Sequence, residues 1–163
     1  VIVLRAGNVD VRVPGGDAEL RVLRLEALPA GFEELAADAT GDGVRLLDVL
    51  REDWEDGRLR FDQPGEALFA VLRGPSLLGL CGLTRDPYAK AERLGRVRRL
   101  YVLRAARRAG AGRALVTAVV KAAQAFGYPR LRVRAPASAY AFYEHCGFLR
   151  AVGEASATHL RPL

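Results

Sequence analysis

A mixed α/β domain of the α+β type, a single sheet carrying helices on both faces, is the fold class this sequence predicts. Three observations carry the prediction. Strand-length apolar runs and helix-period stretches follow one another as strand, two helices, three strands, helix, strand, helix and one or two strands. Two of the runs, "ALFAVLRG" and "SLLGLCGLTRD", adjoin across a Gly-Pro turn and read as a hairpin. No repeat, low-complexity linker or composition break interrupts the 163 residues, so residues 1–163 are expected to form one domain around one core.

Each element has its own signal. Residues 1–18, ending in "VPGGD", read as a strand-like N-terminal extension closed by a turn, and "AELRVLRLEAL" as the first strand of the sheet. "AGFEELAADA" and "VRLLDVLREDWEDG", divided by "TGDG", read as helices; in the second, Leu46, Leu47, Leu50 and Trp54 recur at helical spacing. After the hairpin, a loop containing "DPYAKAERLG" leads to the strand "RVRRLYVL". Leu115, Val119, Ala122 and Phe126 then mark one helix face against a sheet, and Gly127 supplies the stop. "LRVRA" alternates as a strand, "PASAYAFYEHCGF" gives a short helix closed by Gly147, and "ATHLRPL" is the last strand.

Composition narrows the function classes. No apolar run approaches the ~20 residues of a membrane helix, and the N-terminal stretch lacks the basic and long apolar segments of a signal peptide. A soluble, cytoplasmic protein with no membrane partner is the expectation. Cys81 and Cys146 stand alone among apolar neighbours without CxxC spacing, which favours packing thiols and no metal site. The net charge of +6 is unevenly placed. Residues 1–66 hold eight basic and fifteen acidic side chains, net −7, whereas residues 67–163 hold seventeen basic and four acidic, net +13. One surface therefore favours an anionic ligand and the other a cationic one.

The stretch "RRAGAGRAL", Arg107 to Leu115, steps from a strand into a helix. Glycine lets a phosphate approach the main chain, and the free N–H groups and dipole of a helix start attract it. A Walker loop would need Lys and Ser or Thr after its last glycine, where Arg113 and Ala114 stand. A dinucleotide fingerprint would need glycine in place of Leu115 and an acidic residue about twenty positions on, where "RLRVRAP" lies. What remains is Arg107-x-x-Gly110-x-Gly112, which resembles the acyl-CoA loop of the GNAT superfamily of N-acetyltransferases. "RRLYVL" before it resembles that family's central strand. "GRALVTAVVKAAQAFGY" resembles its long helix, and "AYAFYEHCGF" its later "A..FYEK.GF" helix and turn. The likeness runs from about Ala67 to Phe148; the first 66 residues match in element order alone.

The resemblance implies a mostly antiparallel central sheet of six to seven strands, and transfer of an acetyl group from acetyl-CoA to a primary amine by direct attack in a ternary complex. It assigns the CoA pyrophosphate to the main-chain N–H groups of Arg108, Ala109, Gly110, Ala111, Gly112 and Arg113, with the Arg107, Arg108 and Arg113 side chains adding charge. Leu100, Tyr101 and Val102 would lie along the pantetheine arm, a backbone N–H there polarising the thioester carbonyl. Tyr143 would protonate the departing thiolate. Where many relatives have Asn seven positions before that tyrosine, this chain has Pro136.

The general base is not legible; His159 and Glu92 are candidates. Trp54, Tyr88 and His159 are candidate acceptor-binding residues, with Tyr101 as a further aromatic wall. The acceptor is expected to be a small molecule or peptide amine, cationic in view of the acidic first part, and the chain a monomer or homodimer. Two other readings stay open: a non-catalytic acyl-CoA sensor, suggested by Pro136 and the missing base, and a basic nucleic-acid-binding module, suggested by the arginines between Arg93 and Arg113. Against the latter, no nucleic-acid reader motif is present and the acidic first part would repel phosphate.

Overall fold

The computed structural model describes residues 19–163; the predicted extension at residues 1–18 lies outside the described residues. The described residues form one seven-stranded sheet in the order β1-β2-β3-β4-β5-β7-β6. Its strands are β1 (Leu20–Arg24), β2 (Ala67–Arg73), β3 (Ser76–Arg85), β4 (Gly95–Val102), β5 (Arg130–Val133), β6 (Leu149–Arg150) and β7 (His159–Pro162). Helices α1 (Phe32–Gly41) and α2 (Leu46–Glu55) follow β1, α3 (Ala111–Phe126) joins β4 to β5, and α4 (Tyr140–His145) precedes β6. All neighbours pair antiparallel except β4 and β5, which are parallel. The predicted order of elements is therefore the observed one, with both of the last two strands present.

Period-two alternation sorts the core into two layers. From β2, Ala67, Phe69 and Val71 face α3, while Leu68 and Ala70 face α1 and α2. β2 and β3 are covered on both sides, so they read as near-continuous apolar runs rather than alternating ones. The hairpin between them turns at Gly74 and Pro75, pairing Arg73 with Ser76.

α3 is the central helix of its layer. Its buried stripe differs from the predicted line of Leu115, Val119, Ala122 and Phe126: Ala111, Ala114, Val116, Ala118, Val120 and Ala123 join Leu115 and Val119, while Ala122 and Phe126 are only partly buried. Small residues let the helix lie close on the sheet on one side while Phe142 of α4 covers its first turn on the other. Leu115 has no exposed surface, and its truncation to Ala is worth about 2–5 kcal/mol. Gly127 ends the helix at φ 92°, a left-handed position that side chains resist. Cys81 and Cys146 are free and buried, as packing thiols should be.

Candidate active site

The site grows out of one irregular strand. β4 pairs with β5 at only two positions, Gly95↔Leu131 and Arg96↔Arg132, although it continues to Val102. Beyond Arg96 the two parallel strands part, leaving a wedge along the β5 side of β4. On the other side, the β3 register shifts between Leu80 and Gly82, which oppose Tyr101 and Arg98. One more residue is thus spent on β4 than on β3, and Arg99 carries the bulge at φ 55°. The shift turns Leu100 and Val102 towards α3 and Tyr101 towards α1.

β4 leads directly into the glycine stretch. After a single 3₁₀ turn at Arg104–Ala106, Arg108 takes φ 66° and Gly110 takes φ 85° at the start of α3. No side chain caps this helix start among the described residues, and its first turn contains no acid. The first intrahelical bond runs from Ala114 N to Gly110 O, so the N–H groups of Ala111, Gly112 and Arg113 have no carbonyl within the helix. Arg108, Ala109 and Arg113 are exposed around them. The result is an open, electropositive cradle at the mouth of the wedge, suited to a phosphate.

Not every predicted phosphate ligand is free for that task. The Arg107 guanidinium donates to Val102 O (3.1 Å) and to the Asp42 carboxylate (2.7 Å), and it lies 5.3 Å from the Tyr101 ring centroid. Arg107 thereby ties the loop to the end of α1. Gly112 has a packing duty as well as an access duty: a Cβ there would lie 3.1 Å from the Phe142 ring. Pro136 is exposed and leads into the short turn before α4.

Tyr101 is held in turn. Its hydroxyl donates to Asp38 of α1 at 2.8 Å, and burial together with that carboxylate pushes its pKa up to about 12. Asp38 also accepts the Arg104 main-chain N–H at 3.0 Å, and this bond, followed by the Tyr101 hydroxyl, holds its own pKa below the usual carboxylate value. The end of β4 is therefore pinned from α1 by one side chain.

Tyr143 belongs to the same core layer as Leu100 and Val102, 4% exposed, with its ring edge-on to Phe142 (5.2 Å) and to Phe148 (5.4 Å). Burial pushes its phenol pKa well above 10, so at neutral pH its hydroxyl stays protonated. His159, fully buried, pairs with Val133, contacts the Tyr140 ring at 4.9 Å and lies 6.2 Å from the Tyr143 ring. Its Nδ1 meets the Thr158 hydroxyl at 3.0 Å. These contacts place His159 beside Tyr143, away from solvent.

The remaining sequence candidates do not converge. Trp54 is half-buried against the α1/α2 core. Tyr88, 62% exposed on the β3–β4 loop, lies under the Arg96 guanidinium at 4.9 Å. Glu92 pairs with Arg130 at the start of β5. That position is at the closed end of the wedge, beyond Gly95, which is itself about 13 Å from the bulge at the strand rise of ~3.3 Å per residue.

Sequence reasoning missed the cluster that closes this end. Asp86, 2% exposed, lies 3.3 Å from both the Arg96 and the Arg132 guanidinium. Arg132 also meets Glu154 at 3.2 Å, and Arg96 donates to Ser156 O at 2.9 Å. β3, β4, β5 and the β6–β7 loop are thus joined by charge just where β4 and β5 are still paired. The available signal was the presence of arginines inside apolar strand runs, which demands a buried acid.

The sequence profile of the acetyltransferase (GNAT) family matches residues 30–148. A protein from Exiguobacterium sp. 255-15, assigned as an acetyltransferase, has a similar structure at 28% identity and a TM-score of 0.77, over 88% of this chain and 93% of its own. A GNAT-family acetyltransferase from Staphylococcus aureus Mu50 shares the fold at 16% identity and a TM-score of 0.64, over 87% and 99% of the two chains. So does the N-acetylglutamate synthase of Neisseria gonorrhoeae, in complex with coenzyme A and N-acetyl-glutamate, at 19% identity and a TM-score of 0.61, over 91% of this chain and 36% of the synthase. None of the curated proteins compared with the chain matches it. Family profile, fold and the glycine cradle at the end of β4 agree: the chain belongs to the GNAT family of acetyltransferases.

Proposed function

We propose that the chain transfers an acetyl group from acetyl-CoA to a primary amine by direct attack while both substrates are bound. The observation that carries this reading is the uncapped start of α3 at the mouth of the β4/β5 wedge. The pyrophosphate would rest on the main-chain N–H groups from Arg108 to Arg113, with the exposed Arg108 and Arg113 side chains balancing its charge. The pantetheine arm would then follow the unpaired edge of Leu100, Tyr101 and Val102.

Chemically, the acceptor ammonium first loses a proton to become a nucleophile. The neutral nitrogen attacks the thioester carbonyl; the N–C bond forms, the C–S bond breaks, the sulfur takes a proton from the Tyr143 hydroxyl, and the proton shed by the new amide nitrogen returns the phenolate to its hydroxyl form. Two features support Tyr143 in that role. Its ring lies in the core layer that also holds Leu100 and Val102, and no hydrogen bond to its hydroxyl is found among the described residues, so the proton is not committed elsewhere. Main-chain N–H groups beside the bulge would stabilise charge on the carbonyl oxygen.

The test is initial-rate kinetics of thiol release with acetyl-CoA and a panel of primary amines, each varied against the other. Intersecting double-reciprocal lines are expected for direct attack. Parallel lines would replace it with an acetyl-enzyme route, and absence of amine-dependent thiol release would refute the function.

A further inference from the structure

The α1/α2 side of β4 holds a charge that the fold leaves unanswered. β4 brings three guanidinium groups within four positions: Arg96 is engaged by Asp86, and Arg99 donates to Asp53 at 3.1 Å. Arg98 between them is half-buried and makes no hydrogen bond or ion pair among the described residues. It stands opposite Gly82, and Leu68, which also pairs with Gly82, lies in the α1/α2 core, so Arg98 points to that same side. The Phe61 ring fills the space over Gly82, where a Cβ would come within 2.3 Å of it.

Two further polar groups share the spot. Thr84, 3% exposed, has a buried hydroxyl with no partner among the described residues. Ala67 and Leu83 pair and face α3, so Thr84, one step along β3, faces the α1/α2 side with Arg98, and Glu66 lies just ahead of β2. The half-buried Glu66 carboxyl is raised in pKa by its burial and feels the field of Arg98, yet the two do not pair directly. The Glu66 carboxylate accepts the Gln63 main-chain N–H at 3.3 Å, so the groups left without a partner are the Arg98 guanidinium and the Thr84 hydroxyl, a complement to a small molecule that carries a carboxylate. They lie at the level where β4 leaves β5, one residue before the bulge.

We infer that the acceptor is a free amino acid, its carboxylate held by the Arg98 guanidinium and its amine directed from there along β4 to the thioester. This rests on the acetyl-transfer reading above and names its substrate class. It departs from the cationic acceptor expected from the acidic first part of the chain. The acids of α1, α2 and the turn after each are largely answered by arginines: Asp38 by Arg104, Asp42 by Arg107, Asp48 by Arg51, and Asp53 by both Arg58 and Arg99.

The experiment measures acetyl-CoA-dependent thiol release with the twenty free amino acids, with the amides of those that react, and with 1,4-diaminobutane. The expected result is a free acid used about tenfold or more better than its amide, since the amide leaves the guanidinium unpaired. Arg98→Gln should bring that ratio to within about twofold of one, and Arg98→Lys, which keeps the charge without the fork, should retain part of it. Acetyl-CoA affinity within about twofold of the parent shows that each variant is folded. An amide or the diamine used as well as the acid, an unchanged ratio in Arg98→Gln, or turnover of no amino acid overturns the inference. Acetyl-transfer to the diamine alone would leave the wider function standing, whereas failure to bind acetyl-CoA would remove that function first.

Discussion

The two halves of β4 are built to opposite ends. Over Gly95 and Arg96 the strand is paired on both sides and bound into a buried charge cluster around Asp86. From Val97 to Val102 it loses β5, takes a bulge at Arg99, and ends in a loop whose N–H groups have no partner in the helix they begin. A clamp at one end keeps the strands together so that they can separate at the other without the sheet falling open. The difference teaches that the missing hydrogen bonds of the open half are available to a ligand only because the closed half supplies the stability.

Several substitutions separate the two halves. The largest effect is expected on chemistry: Tyr143→Phe should lower kcat by about 10²- to 10⁴-fold while acetyl-CoA affinity stays within about threefold, measured by steady-state rates and calorimetry. Unchanged turnover would remove the proton-donor role. Asp86→Ala should weaken the closed half by about 3–5 kcal/mol in urea unfolding, because Arg96 and Arg132 are left as buried, uncompensated cations. A loss under about 1 kcal/mol would mean that the cluster is not the clamp.

The open half is tested by Gly110→Ala. A side chain at φ 85° costs about 1–2 kcal/mol of stability, and displacement of the cradle should raise the acetyl-CoA Kd about tenfold. The smallest effect concerns the pin from α1. The Asp38 pKa is depressed in the fold, so its contribution is present above the ordinary carboxylate value of 3.8 and is lost as the pH falls through the lower, folded one. Asp38→Asn should therefore melt below the parent at pH 7, by about 1 kcal/mol, and match it near pH 2. An equal difference at both pH values would contradict that linkage.

What the sequence made legible was whatever depends on neighbours along the chain. Apolar period and glycine placement located β2, β3 and α3, and the Gly110 and Gly112 spacing pointed to the cradle before any coordinates. The bulge escaped because Arg99 adopts its positive φ without a glycine to advertise it. Gly112 was legible as a point of access but not as the floor under Phe142, which comes from 30 residues further on. The bond between Asp38 and Tyr101 spans 63 positions, and no local pattern encodes it. His159 illustrates the reverse failure: a histidine near the end of the chain looked available for acid-base chemistry, and only the packing of α4 over β7 reveals that it is enclosed.

The central claim is that the open half of β4 and the start of α3 hold acetyl-CoA, and it is tested most directly by calorimetric titration of the chain with acetyl-CoA, CoA and ATP at two salt concentrations. Saturable binding of both CoA forms, with ATP much weaker and the preference kept at the higher salt, is the expected result. No binding of either CoA form, or equal binding of ATP that vanishes with salt, would contradict it and leave the arginines as a nonspecific anion surface.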